Sequence, residues 1–209
     1  MPSARLTDAV RALSELDPVM AHLASEHGMP KLKTGLRGTS RFEQLAESIC
    51  YQQLAGKAAE AIWNRVRANV DGPFTPEAVL AVGYDKLRAS GFSNAKALSV
   101  LDLAAKCAAG DVRLERIGRL DDEAVIQELL PVRGIGRWTA EMFLIFTLQR
   151  LDVWPVGDLG VRAGYGVAYG VDMPTANELG PLGEPFRPYR TLAAWYCWQA
   201  IIASRQPNV

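Results

Sequence analysis

The chain has 209 residues and a mass of 22.8 kDa, and its 23 Lys+Arg balance 23 Asp+Glu, for zero formal net charge and a sequence pI near 6.7. With 49% hydrophobic and 22% charged residues it is neither disordered nor fibrous, and its length is enough to bury roughly 70% of the unfolded surface. Charge alone argues against a nucleic-acid partner, whose usual footprint is a pI above about 9, although net charge does not say where the charges sit.

Met1 to Leu16 carries Arg5, Asp8, Arg11 and Glu15 and lacks the apolar core of a signal peptide. His22 and His27 are the only histidines, and their place near the N-terminus disfavours Ser-His-Asp, Cys-His and His-rich metal chemistry. Ser40-Arg-Phe-Glu43 reads as a capping box opening a helix, with an apolar stripe of Phe42, Leu45, Ala46, Ile49 and Cys50 that runs on to Gln53. Thr75-Pro76 is an N-cap followed by proline at the first helical position. Ser93 caps another helix, with an expected inner face of Ala97, Leu98, Leu101, Ala104 and Ala108. Asp121-Asp122-Glu123 puts negative charge at a helix start, ahead of Val125, Ile126, Leu129 and Leu130.

Met142 to Leu148 and Leu192 to Ile202 are apolar nearly all round, as helices at the centre of a helical body are. Loops are expected at Gly28–Thr39, Asp71–Phe74, Asp152–Gly157 and Gly180–Pro188. No stretch alternates like a strand and no repeat recurs, so the fold class is all-α, with about ten short helices. The longest uncharged stretch, Thr191 to Ser204, falls short of the ~20 residues that span a bilayer. Cys50, Cys107 and Cys197 form no C-x-x-C pair and read as free thiols of a reducing compartment. A soluble, cytoplasmic protein is expected.

The most informative segment is Leu130-Pro-Val-Arg-Gly-Ile-Gly-Arg-Trp-Thr-Ala140. A helix ends, a tight turn carries Gly134 and Gly136, and an apolar helix begins at once. Glycines let the backbone approach a partner closely. Successive amides at a helix mouth make an anion-binding concavity. An ordinary helix–helix connection also uses glycine, but the full run with Arg137, Thr139 and Ala140 favours a hairpin that grips DNA phosphate.

Here the sequence resembles the helix-hairpin-helix DNA glycosylases, and more narrowly the 3-methyladenine DNA glycosylase II group. Ile49-Cys-Tyr-Gln-Gln-Leu-Ala-Gly-Lys-Ala-Ala59 is similar to the family's Gln-Gln segment, and Gly91-Phe-Ser-Asn-Ala-Lys-Ala97 to its Lys-Ala helix start. Trp154-Pro-Val-Gly-Asp-Leu-Gly-Val-Arg162 resembles the catalytic-aspartate segment, and Arg187-Pro-Tyr-Arg-Thr-Leu-Ala-Ala-Trp195 the last-helix signature. The resemblance runs in the family's order from about Ser40 to Ser204. The additional N-terminal α/β domain of longer bacterial relatives is expected to be missing.

From the residues alone, Asp158 is the N-cap of a helix Leu159 to Tyr165. The resemblance makes it the single catalytic aspartate as well. A fixed anion there stabilises the positive charge that develops on the sugar as an N-glycosidic bond breaks, or orients water towards it. Relatives that also cut the backbone carry a nucleophilic lysine where this chain has Trp138, so the resemblance implies a monofunctional enzyme without lyase activity. The absence of a cysteine cluster separates it from iron–sulfur relatives. Trp138 and Tyr189 match positions where relatives place rings around the flipped base, while Met142 and Leu159 stand where some offer further aromatic rings. Trp63, Trp195 and Trp198 read as core.

Gln53, or Leu54 as second choice, is the candidate wedge that fills the gap left by the extruded base. The resemblance also implies a sodium or potassium ion at the hairpin, held by the carbonyls of Leu130, Val132 and Ile135. No cofactor is expected for catalysis.

The resulting expectation is two helical subdomains with a DNA cleft between them. Residues 39–149 form the first and carry the hairpin at about 122–148; residues 1–38 with 150–209 form the second. The partner is duplex DNA bearing alkylated bases, met by a monomer. A non-catalytic DNA-binding module, a glycosylase for oxidised or mismatched bases, and a protein–protein scaffold are the alternatives. The neutral charge then describes how DNA is held: through backbone amides, with Arg133, Arg137, Lys57 and Arg190 as local basic groups. Fewer side-chain phosphate contacts imply a shallow salt dependence, since each phosphate neutralised adds roughly 0.9 to the log–log slope.

Overall fold

The computed structural model describes residues 4–32, 38–54 and 56–205, so part of the expected loop Gly28–Thr39, at 33–37, lies outside the described residues. Among the described residues every regular element is helical. They are α1 (Ala4–Leu16), α2 (Pro18–His27), α3 (Arg41–Tyr51), α4 (Gly56–Ala68), α5 (Pro76–Ala89), α6 (Asn94–Ala109), α7 (Asp122–Leu129), α8 (Arg137–Met142), α9 (Leu159–Tyr169), α10 (Ala176–Leu182) and α11 (Arg190–Ser204). Short 3-10 turns lie at Ile117–Arg119 and Glu184–Phe186, and a turn of π-helix at Phe143–Thr147 continues α8. No helix of the described residues is long and apolar enough to cross a membrane.

Side-chain caps start these helices where the sequence marks them. Ser40, Thr75, Ser93 and Asp121 accept the amides of Glu43, Ala78, Lys96 and Ala124 at 3.1, 3.2, 3.2 and 2.8 Å. Only half of the box expected at Ser40 forms, because the Glu43 carboxylate pairs with Arg67 at 3.0 Å instead of turning back to the backbone. A full capping box occurs at Thr175 and Glu178. It nucleates α10, which carries the chain through Gly180 and Pro181 to Leu182, inside the stretch expected as a loop. Pro181 lacks an N–H and the helix stops one residue later.

The inner face of α6 is also rotated from expectation. Ala97, Ser99, Val100, Leu103 and Ala104 are buried, whereas Leu98 and Leu101 are half-buried and Ala108 is exposed. Ser99 turns inward because its hydroxyl donates to the Ala95 carbonyl at 2.9 Å, so no polar group is left unsatisfied.

The chain divides into two compact units, Lys33–Leu148 and Met1–Leu32 with Gln149–Val209. In the first, α6 packs on α5 and α3, α3 on α4, and α7 on α8. Its core includes Leu45, Ile49, Val66, Leu87, Leu103 and Leu129. In the second, α11 packs on α9 and α2, and α2 on α1, around Leu13, Met20, Val161, Leu192 and Tyr196. The thiols of Cys50 and Cys197 are buried and that of Cys107 half-buried, and all three are free. Burial pushes Cys50 up to about 11 and Cys107 to about 12, and raises Cys197 as well. Such thiols are unreactive near neutral pH.

The approach of α9 to α11 depends on two glycines one helical turn apart. A Cβ on Gly164 would stand 1.8 Å from the Cys197 carbonyl oxygen, and one on Gly160 2.9 Å from Trp198 Cδ1. Gly164→Ala must therefore separate two helix backbones, an overpacking that costs roughly 1–3 kcal/mol or more. Thermal unfolding is expected to show a melting temperature lowered by about 3–10 °C. Gly56→Ala, where a Cβ meets nothing within 4 Å, is the control expected to melt like the parent.

Candidate active site and nucleic-acid interface

In the contiguous unit, α7 ends at Leu129 and the turn Leu130–Gly136 leads straight into α8. The two glycines of this turn differ in what they answer to. Gly134 has φ +77°, and a Cβ there would lie 2.4 Å from Ser99 Oγ, so the chain itself requires glycine. Gly136 has φ −95° and open space around its Cβ position. It also gives α8 no side-chain cap.

Two side chains pin the turn, Asp102 from α6 and Gln52 from just past the end of α3. The Arg133 amide donates to Asp102 Oδ2 at 2.7 Å, while Lys106 Nζ holds Oδ1 at 2.6 Å. Burial would push the Asp102 carboxyl up, but the Arg133 amide and the Lys106 ammonium outweigh it and hold it below the usual carboxylate range. Gln52 Nε2 donates to the Gly134 carbonyl at 3.2 Å and to Thr139 Oγ1 at 3.1 Å. The Thr139 hydroxyl is therefore buried and internally used, not a surface contact as expected. Sequence reasoning passed over Gln52; a glutamine pair at the end of an apolar stripe was the available signal.

Arg137 is likewise committed within the chain. It pairs with Glu123 at 2.8 Å and with the buried Glu141 at 3.3 Å, and the guanidinium holds the Glu123 carboxyl below its usual range. The apolar stripe of α3 does not reach Gln53: the helix stops at Tyr51, and Gln53 adopts a left-handed φ of +56°. Gln53 and Leu54 are both exposed, Leu54 by 39%. Trp138 is 45% exposed at the start of α8, while Met142 is buried. Lys57 and Arg133 are exposed. The Val132 carbonyl accepts the Ile135 amide at 3.1 Å within the turn.

In the other unit, Asp158 is the N-cap of α9. Its Oδ1 accepts two hydrogen bonds, from the Val161 amide at 2.8 Å and from Trp198 Nε1 at 2.9 Å, and the residue is only 9% exposed. Trp198 is thus a ligand of the carboxylate, not core filling. The segment leading to Asp158 is anchored at both ends. The Val153 amide donates to Thr191 Oγ1 at 3.0 Å, Trp154 Nε1 to the Leu179 carbonyl at 2.8 Å, and the Asp158 amide to the Pro155 carbonyl at 2.9 Å.

Arg190, expected as a group for DNA, instead grips Asp152 at 2.7 Å and reaches Glu184 at 3.4 Å, with Arg187 on the same Asp152 at 2.8 Å. Tyr189 lies half-buried between these two arginines at the start of α11. Leu159, next to Asp158, is 62% exposed. The structure thus gathers Asp158, Leu159 and Trp198 in one unit, and Gly134, Thr139, Gln52 and the Gln53–Leu54 turn in the other.

A helical hairpin whose turn carries Gly134 and Gly136 defines a helix-hairpin-helix protein. Residues 46–184 match the HhH-GPD superfamily of base excision DNA repair proteins. The chain is similar to DNA-3-methyladenine glycosylase 1 of Schizosaccharomyces pombe, 37% identical over 198 residues, 93% of this chain and 87% of that protein. Among solved structures it resembles the 3-methyladenine DNA glycosylase Mag1 of that yeast in complex with abasic DNA (TM-score 0.79, 35% identity, 92% and 95% of the two chains). It also resembles the DNA-3-methyladenine glycosidase of Bacillus halodurans (TM-score 0.82, 32% identity, 94% and 91%). The chain belongs to the HhH-GPD superfamily of base excision DNA repair proteins.

The two turn glycines are expected to respond differently to substitution. Gly134→Ala is expected to lower the melting temperature, since it meets both a left-handed φ and Ser99. Gly136→Ala should leave melting within about 2 °C of the parent yet weaken duplex binding about tenfold in a gel-shift titration, because its methyl group enters the open space before α8. Equal effects of both on melting would remove the case for a partner at Gly136.

Proposed function

We propose that the chain is a monofunctional DNA-3-methyladenine glycosylase of the type II kind. Acting as a monomer, it extrudes alkylated bases of the 3-methyladenine and 7-methylguanine class from duplex DNA and hydrolyses the N-glycosidic bond. The observation that carries this reading is the Asp158 carboxylate, held on one oxygen by the Val161 and Trp198 N–H groups at 2.8 and 2.9 Å. The names of the relatives support the substrate class.

In the reaction the bond between the base nitrogen and the sugar C1′ breaks, and its electron pair leaves with the base. Alkylated purines such as 7-methylguanine are already cationic and leave as neutral molecules. Positive charge passes to the sugar, where a fixed carboxylate stabilises it. Water then forms the new bond to C1′ and loses its proton, which leaves an abasic site. The two N–H donors fix the orientation of Asp158 before the substrate arrives, so little reorganisation is needed at the transition state.

Hydrolysis without strand cleavage fits the lysine distribution. The last lysine in the sequence is Lys106, so neither the hairpin nor the Asp158 segment offers an amine for a Schiff base. Exposed aromatic surface is present on each unit, in Trp138 on one and half-buried Tyr189 on the other. Cation–π attraction to such rings is worth on the order of 0.5–2 kcal/mol for a cationic base. The exposed Leu54 is the better wedge of the two candidates, because an apolar side chain at a projecting turn fills an unstacked gap without leaving a buried polar group. The neutral carbonyls of Leu130, Val132 and Ile135 are oxygen donors of the kind that suit sodium or potassium, and such an ion would add positive charge at the hairpin.

The test is Asp158→Asn. It keeps the shape and the cap acceptor but removes the charge, and it is expected to slow release of 7-methylguanine at least about a hundredfold while duplex binding stays within about twofold. Unchanged excision would contradict the assignment of Asp158.

A further inference from the structure

The Lys-Ala motif at the start of α6 has no part in the chemistry described so far, yet its lysine meets the end of α3, just before the exposed Gln53–Leu54 turn. Lys96 is held at its backbone, where its amide donates to the Ser93 cap at 3.2 Å. Its side chain crosses to the far end of α3 and donates to the carbonyls of Cys50 at 2.6 Å and Gln52 at 2.7 Å. A cation there satisfies acceptors that the end of a helix leaves orphaned, and it lies at the negative end of the helix dipole. Burial lowers the pKa of Lys96 from its ordinary value, with the neighbouring Cys50 pulling the other way.

Gln52 is consequently fixed twice. Its carbonyl is tied to Lys96, and its side chain is tied to the hairpin at Gly134 and Thr139. The next residue, Gln53, takes a left-handed φ of +56°, a conformation uncommon for residues other than glycine, which persists when its surroundings over-determine it. Leu54 follows, with an apolar side chain exposed to solvent. One ammonium and one side-chain amide thereby tie the Gln53–Leu54 turn to the hairpin.

We propose that Lys96 is a positioning residue for base extrusion: through Gln52 it fixes the height of the Gln53–Leu54 wedge relative to the hairpin. The proposal rests on the glycosylase reading above. Its consequence is selective. Loosening the turn impairs removal of a base that must be pried out of a pair, and spares removal of one that is already unpaired.

The experiment measures single-turnover excision of 7-methylguanine placed opposite cytosine and, separately, opposite an abasic-site analogue, where no pair has to be broken. Lys96→Met removes the ammonium at similar length. It is expected to slow excision opposite cytosine about tenfold and to leave excision opposite the analogue within about twofold. Lys96→Arg, which keeps the charge and the donors, is expected to restore most of the rate. Lys96→Gln, shorter and uncharged, leaves the Gln52 side chain on the hairpin in place; it is expected to show the same selectivity and serves if Lys96→Met does not fold. Parental rates on both duplexes, or equal losses on both in a folded variant, overturn the proposal while the glycosylase reading stands. If the parent protein releases no 7-methylguanine from either duplex, both fall together.

Discussion

A single carboxylate oxygen organises the discontinuous unit. Asp158 Oδ1 receives the Val161 amide from its own helix and the Trp198 indole from α11. The second bond exists only because α9 and α11 lie unusually close, and they do so because Gly160 and Gly164 offer no Cβ to the opposing backbone and indole. The loop that delivers Asp158 is fastened to the start of α11 through Thr191, and the Asp152–Arg190 pair braces the same junction. Helix packing, loop anchoring and the aim of the carboxylate are one problem with one solution. A buried carboxylate without such donors would be expensive to keep, so the packing of two glycines is also a condition for holding Asp158 in place.

The contiguous unit solves a complementary problem, that of fixing the turn between α7 and α8 from the inside. Gly134 is tucked over Ser99, the Arg133 amide is occupied by Asp102, and the Gly134 carbonyl by Gln52. The start of α8, by contrast, has no side-chain cap. The basic residues near this turn differ in what holds them. Arg137 is taken by Glu123 and Glu141, as Arg190 in the other unit is taken by Asp152 and Glu184. Of the four basic groups expected to face DNA, Arg137 and Arg190 are paired with the chain's own acids, while Lys57 and Arg133 stay exposed.

Much of this was legible in the sequence, and the misses share a cause. Caps at Ser40, Thr75, Ser93 and Asp121, the glycine turn, and the cap role of Asp158 are local patterns, set by residues a few positions apart. What local patterns do not reveal is which distant polar group a side chain will choose. Glu43 preferred Arg67 to its own helix end, Thr139 turned to Gln52, and the Trp198 N–H found a carboxylate forty positions earlier. An apolar stripe counted by hydrophobicity likewise misplaced the inner face of α6, because Ser99 satisfies its hydroxyl within the helix and can be buried. Sequence spacing locates the parts; the hydrogen bonds between parts far apart in the chain appear only in three dimensions.

The central claim is that the fixed carboxylate serves the removal of alkylated bases. The most direct measurement is the profile of free bases released from methylated duplex DNA by the purified protein, separated by chromatography. The account predicts that 3-methyladenine and 7-methylguanine appear as free bases, with intact strands carrying abasic sites. Release of oxidised or mismatched bases in place of these, or of no base at all, would contradict it.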